Sequence, residues 1–454
     1  MPVSSQGAVD LGVDLETWLI KYDKLGICIS PKTAQALLHR LARDTNRPII
    51  LFSHGWNNDF DAATDLYAAF LRQLQIHLHA APLHTEPLFV GVIWPSIALS
   101  LNAGLRIAAV PDVPDVPAQE ADQAYAADLA AALPVPQRQR FYTLMEADRL
   151  ADAEARELAE LLREAVTPSG SSDDGDTEDG GAPAGTDLYA ALRAMARPAV
   201  PAADDPDILP PGGVLGAMTA SGVDTAGLFG YLDPRWALRV ASVYQMKDRA
   251  ALVGSRGVAP LLSELLKLDR TVHLVGHSYG CKVVLSALAH EPARRNVETI
   301  LLLQPAISHL AFASRVANTG KSGGYRMTLE QCRHAPVMTY SAGDWPLHKL
   351  FHLALLRDAD LGEIRIGGLD MDEVRAAGAG AGQPPNRYAA LGGYGPRGAG
   401  ETLAGALPMP GDVDALQGNH KLLAFDGSGG QIKGHGDVHS ALTTWLLYLQ
   451  LRQR

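Results

Sequence analysis

Two short, almost unbroken apolar runs, Pro48-Ile49-Ile50-Leu51-Phe52-Ser53 and Leu88-Phe89-Val90-Gly91-Val92-Ile93-Trp94, constrain this chain more than any other feature. Each is too short for a buried helix and reads as a strand covered on both faces. Between them, residues 61 to 79 repeat apolar side chains at Ala62, Leu66, Ala69, Phe70, Leu74 and Leu78, the spacing of a helix packed on a sheet. A strand, a crossover helix and a second inner strand make a parallel unit. The pattern predicts further strands at Ala237 to Gln245, Thr271 to Val275, Thr299 to Leu303, Val337 to Ser341 and Lys421 to Phe425. Helices are expected at Gly257 to Leu268, from Lys282 to Leu288, and at Ala441 to Leu451. The expected class is α/β, with a mostly parallel central sheet and helices on both faces.

Charge divides the chain. Residues 112 to 187 carry 18 Asp or Glu against 5 Arg, a local net of -13 out of a total of -11, so everything else sums to +2. With its Pro- and Gly-dense flanks this region reads as an insertion over 105–235, a possible lid, disordered near 168–185 where apolar side chains are too few to offset ordering entropy. The core is then expected over 1–104 and 236–454, with residues 374 to 412 as a surface loop. So acidic a chain offers no footprint for nucleic acid. No basic start leads into an apolar stretch, no apolar run approaches membrane-spanning length, and Cys28, Cys281 and Cys332 are odd in number and far apart. A cytoplasmic protein without disulfides is the expectation.

The chemistry centres on Gly276-His277-Ser278-Tyr279-Gly280, set directly between an apolar strand and a helical stretch. Small residues two positions to either side let the chain reverse sharply and leave the serine hydroxyl at the turn. A serine needs a base, and the base an orienting acid, which in a parallel sheet belong in turns after later strands. Asp344 follows the strand ending at Ser341, although an Asp there also suits a helix cap. His435 follows the last strand. His439, four residues on, is the rival base and is expected inside the last helix, with Asp437 as that helix's cap. The amides of Trp56 and Tyr279 are the candidate oxyanion donors, Gly55 allows close backbone approach, His54 reads as a structural hydrogen-bonding residue and not a base, and His54, Gly55, Trp94 and Trp345 are possible pocket residues.

Taken together, Gly276 to Gly280, His54-Gly55-Trp56, Asp344 and His435, in the chain order serine, acid, histidine, resemble the α/β-hydrolase superfamily. The resemblance covers residues 46 to 110 and 236 to 454. It implies acyl transfer through an acyl-serine, with Ser278 as nucleophile, His435 as base, Asp344 orienting it and no cofactor. Carboxylic-ester hydrolysis, by an esterase or lipase, leads the expected functions, on a small-molecule or lipid ester that Trp56, Trp94, Tyr279 and Trp345 would suit. A peptidase, thioesterase or acyltransferase uses the same residues, and a binding protein that lost catalysis is the alternative of another class. His77, His79 and His84 invite a metal reading, but the first two cannot share a helix face. Tyr244 to Arg249 could line the pocket, but a helix start with a solvated face is the commoner pattern, and Cys281 reads as small packing.

Overall fold

A computed structural model describes residues 7–43, 47–56, 58–96, 125–127, 129–147, 149–166, 188–189, 234–291, 293–316, 321–351, 383–384 and 388–453. Eight strands form one sheet: β1 (Thr17–Lys21), β2 (Ile49–Ser53), β3 (Leu88–Ile93), β4 (Val272–His277), β5 (Thr299–Leu303), β6 (Val337–Tyr340), β7 (Thr402–Leu403) and β8 (Leu423–Asp426). Their order is β1-β3-β2-β4-β5-β6-β8-β7, and every pairing is parallel. From β2 the chain steps outward to β3 on one side, and from β4 it steps outward to β5 on the other. The carboxyl ends of β2 and β4 therefore flank the point where winding reverses, which is where open α/β sheets form a crevice.

Alternate residues of each inner strand feed two cores. Ile49, Leu51, Val272 and Leu274 pack on one face with α1 (Pro31–Arg43), α5 (Pro234–Leu252), α6 (Ala259–Lys267) and α7 (Tyr279–Ala289). Ile50, Phe52, Val275 and Leu301 pack on the other with α2 (Phe60–Ala80) and α8 (Ala441–Arg452). The expected α/β layering is thus present, with helices on both faces. Helices α3 (Val135–Met145) and α4 (Asp152–Val166), inside the expected insertion, bury Phe141, Leu144, Leu158 and Leu162 in the first core. The stretch expected to be disordered, 168–185, lies outside the described residues.

Three expectations are corrected. Ala237 to Gln245 is not a strand but the middle of α5. Its buried positions, Leu238, Ala241, Met246 and Ala250, recur every three to five residues and face α7, so packing overrode the bias of Val240 and Val243 toward strand. The solvated face assigned near Tyr244 to Arg249 is also wrong in part, because Lys247 and Arg249 are buried and Arg249 Nη1 donates to the Pro95 carbonyl at 2.8 Å. Finally, the described residues of the supposed surface loop 374–412 include a deeply packed segment: Ala389, Ala390 and Leu391 are fully buried. Leu391 N donates to Ile307 O and Gly392 N to Pro305 O, so this segment lies on the loop that leaves β5.

Arg397, in the same segment, is 5% exposed and its guanidinium makes one hydrogen bond, Nη1 to the Pro396 carbonyl at 2.9 Å. Its Nε has no acceptor, and burial draws its pKa below the usual value. A buried cation so poorly matched costs stability. Arg397→Met should therefore raise the thermal midpoint, by the equivalent of about 1 kcal/mol for the donor no longer left unmatched. A lower midpoint in calorimetry would refute that.

Candidate active site

Strand β4 ends in His277 and turns at Ser278 into α7. Ser278 has φ 56° and ψ -125°, a conformation that L side chains adopt rarely and at a cost. Contacts across the sheet hold it there: Ser278 N donates to Leu303 O at 3.1 Å, and Ser278 O accepts from Cys281 N at 3.1 Å and Ala306 N at 3.2 Å. The flanking glycines are required by close approach. A Cβ on Gly280 would lie 2.0 Å from the Ser53 carbonyl oxygen, and one on Gly276 2.6 Å from Cys281 Cα. The elbow can therefore sit against the end of β2 only as this sequence writes it.

Ser278 Oγ lies 2.7 Å from His435 Nε2, and His435 Nδ1 lies 2.7 Å from Asp344 Oδ2. Serine, histidine and aspartate come from the ends of β4, β8 and β6, 2%, 4% and 0% exposed, so the contacts operate out of bulk water. The aspartate must accept from Nδ1–H, which leaves Nε2 as the acceptor for the serine hydroxyl, the tautomer a base requires. The competing reading of Asp344 as a helix cap proves compatible with this geometry. Its Oδ1 accepts from Leu347 N at 3.2 Å while Oδ2 holds the histidine.

The rival arrangement is not formed. His439 makes no hydrogen bond to Ser278 or Asp344, and its Nδ1 is buried without a partner. Nor does it lie in the last helix, which begins at Ala441 with Ser440 as its cap, Oγ accepting from Thr443 N at 3.2 Å. Asp437 therefore does not cap α8. Its Oδ2 accepts from Lys433 N at 2.7 Å, tightening the turn that presents His435. Short turn residues compete for caps on the basis of backbone angles, which sequence alone leaves open.

The loop after β2 carries Gly55 and Trp56, whose amide is the candidate oxyanion donor. Gly55 lies against the elbow, for a Cβ there would be 2.6 Å from Ser278 Cβ and 3.0 Å from His277 Nδ1. Asn58 Nδ2 donates to the carbonyls of Gly55 at 3.1 Å and Trp56 at 3.0 Å, and Ser96 Oγ brackets the Asn58 backbone at 3.1 and 2.8 Å. Because the peptide is planar and trans, fixing the Gly55 carbonyl toward Asn58 turns the Trp56 N–H the opposite way. Tyr279 opens α7, where first-turn amides and the helix dipole favour negative charge. Neither Asn58 nor Ser96 was flagged by sequence reasoning; an Asn just ahead of a helix looks like ordinary turn chemistry.

His54 makes its hydrogen bonds within the fold and none to Ser278 or Asp344. It is fully buried, stacks on Trp94 at 5.6 Å, donates from Nδ1 to Gly55 O at 2.9 Å and accepts from Trp94 N at 3.3 Å. Burial draws its pKa down to about 4, so it stays neutral. Trp94 is thereby committed to packing under the loop, and Trp56 packs against Tyr279 at 6.2 Å. Trp345, beside Asp344, is 42% exposed. Cys281 is buried and its thiol pushed well up by burial, which suits packing and not nucleophilicity. His77 bonds to Ala441 O and Thr444, while His79 faces Asp14. Among the described residues no helix is long and apolar enough to cross a membrane.

The arrangement holds one serine hydroxyl at a sharp turn, within hydrogen-bond distance of an imidazole that an aspartate orients, at the start of α7. Comparison with protein-family models, curated proteins and solved structures gave no match.

Proposed function

We propose that the chain is a serine hydrolase of the α/β-hydrolase type, cleaving carboxylic esters through an acyl-serine intermediate. The observation that carries this reading is the unbroken relay Ser278–His435–Asp344, two contacts of 2.7 Å drawn from three strand ends. Ser278 Oγ attacks the carbonyl carbon as its proton passes to His435 Nε2. Negative charge gathers on the carbonyl oxygen, where the amides of Trp56 and Tyr279 stabilise it. The tetrahedral species collapses, His435 returns the proton to the leaving alkoxide, and the acyl group remains on Ser278. Water, deprotonated by His435, then attacks the acyl-serine, and as the acyl–Oγ bond breaks His435 returns that proton to Ser278 Oγ, which releases the acid and restores the free enzyme. Asp344 holds the ring and offsets the charge of the imidazolium.

A fluorophosphonate probe incubated with the folded protein should label one peptide, the one containing Ser278, as read by mass spectrometry. An unlabelled protein would return the chain to the class of binding proteins. With labelling in hand, a panel of p-nitrophenyl esters, thioesters and peptide amides separates an esterase from a thioesterase or peptidase. Asp344→Asn offers a finer check. Asparagine retains an oxygen for the Leu347 amide, so the turn survives, but it favours the wrong histidine tautomer. The ester-hydrolysis rate should fall about 10⁴-fold with the thermal midpoint nearly unchanged.

A further inference from the structure

We infer that His277 and Gln304 are positioning residues, which hold the imidazole of His435 in register with Ser278 by gripping the main-chain carbonyls of its loop. His277 Nε2 lies 2.8 Å from His435 O, and Gln304 Nε2 donates to the same oxygen at 3.1 Å and to Gly434 O at 2.9 Å. The two donors arrive from adjacent strands, His277 as the last residue of β4 and Gln304 as the first beyond β5. Both side chains are fully buried. The turn that presents His435 is thus bolted from below to the two strands that shape the serine elbow.

Three details mark this as more than incidental packing. A carbonyl oxygen only accepts, so His277 must carry its proton on Nε2, leaving Nδ1 as a buried lone pair without a partner. That lone pair faces Gly55, where no side chain fits. Burial, with the neighbouring His435 as a second cause, holds the pKa of His277 well below the usual histidine value, so Nδ1 stays an unprotonated lone pair at neutral pH. Gln304 has φ 44°, a left-handed conformation that a non-glycine residue keeps only when its surroundings insist. Its amide is fixed there by Thr339 Oγ1 at 3.1 Å, and that backbone placement aims the side chain at the histidine loop. An imidazole displaced by about 1 Å loses on the order of a hundredfold in rate, so two buried bonds on its own carbonyl bear directly on how fast the serine reacts.

This inference rests on the proposed Ser278–His435–Asp344 relay, and the test keeps the two apart. Fluorophosphonate labelling rates and steady-state ester hydrolysis are measured on the wild type and on Ser278→Ala, Gln304→Met, His277→Leu and His277→Gln. Absence of labelling in the wild type would sink the relay itself. With wild-type labelling established, Gln304→Met and His277→Leu, each of which removes one of the two bonds on the His435 carbonyl, should each lower kcat and the labelling rate about tenfold, with KM within twofold. His277→Gln, which can return an N–H near the position of Nε2, should recover most of the loss. Wild-type labelling rates in Gln304→Met would overturn the inference. So would a rise in KM at constant kcat, or a His277→Gln variant no better than His277→Leu. Should His277→Leu fail to fold, the near-isosteric Gln304→Met and the rescue variant decide the matter.

Discussion

Ser278→Ala should lower ester hydrolysis by about 10⁶-fold in kcat, the scale on which nucleophile and base act as one unit. The residual rate would come from the amides near Trp56 and Tyr279 and from substrate binding, which survive the change. A variant that kept more than about one per cent of the wild-type rate would remove Ser278 from the mechanism, since losing a true nucleophile costs orders of magnitude more. The same position makes a second, opposite-signed prediction. Ser278 is held at φ 56°, so glycine there relieves backbone strain. Ser278→Gly should be as inactive as the alanine variant yet more stable, by about 1 kcal/mol, the lower end of the cost of a strained residue. Stability lost to hold a reactive group, and regained when that group is removed, distinguishes a strained functional turn from a structural one.

Acid should unfold this protein between about pH 6 and pH 4. Among the described residues the imidazoles of His54, His273, His277 and His309 are at most 1% exposed: burial draws His54 and His309 down to about 4 and His273 to about 3, with His334 adding to the effect on His273. His277 is drawn down as well, by burial first and then by His435. In the unfolded chain each histidine titrates near 6.5. Above that value neither state is protonated and the full contribution of these residues is present. Between 6.5 and the folded values the unfolded chain binds more protons, so stability falls as the pH falls. For His54 or His309 the loss is roughly 3 kcal/mol, and His54, His309 and His273 together reach the order of 10 kcal/mol, with His277 acting in the same direction, comparable with the whole stability of a domain. Circular dichroism against pH measures the midpoint, and His273→Gln should move it to lower pH. A chain still fully folded at pH 3.5 would contradict the burial of these rings.

Much of the site was legible because its chemistry is tied to strand ends. Ile49 to Ser53, Leu88 to Ile93 and Thr299 to Leu303 are inner strands with no solvent-facing residues, so their composition alone distinguishes them. Asp344 and His435 could be picked because turns after parallel strands share one edge of the sheet. What escaped was set by packing at a distance. Thr17 to Lys21 became a strand by pairing with β3 over 70 residues away, and nothing in five mixed residues announces that partner. Residues 237 to 245 fit either period until α7 selected the helical face. Ala389 to Leu391 resemble loop residues, yet the carbonyls of Pro305 and Ile307 draw that segment inward. His277 and Gln304 carried no recognisable spacing, since their common target is the backbone of a loop 130 residues or more farther along.

The amino-acid sequence by itself determined the elbow. The sterics of Gly276, Ser278 and Gly280 act within five residues, and an apolar strand before and a helix after them admit one sharp turn. Only the tertiary structure decided which histidine answers the serine, and how firmly. His435 and His439 stand four residues apart with similar neighbours, and the choice falls to the register of β8 beside β6, to Asp437 tightening the turn, and to two buried donors beneath it. Local sterics are written in contiguous residues. A meeting of three strand ends depends on strand order, and strand order follows from the packing of the whole sheet.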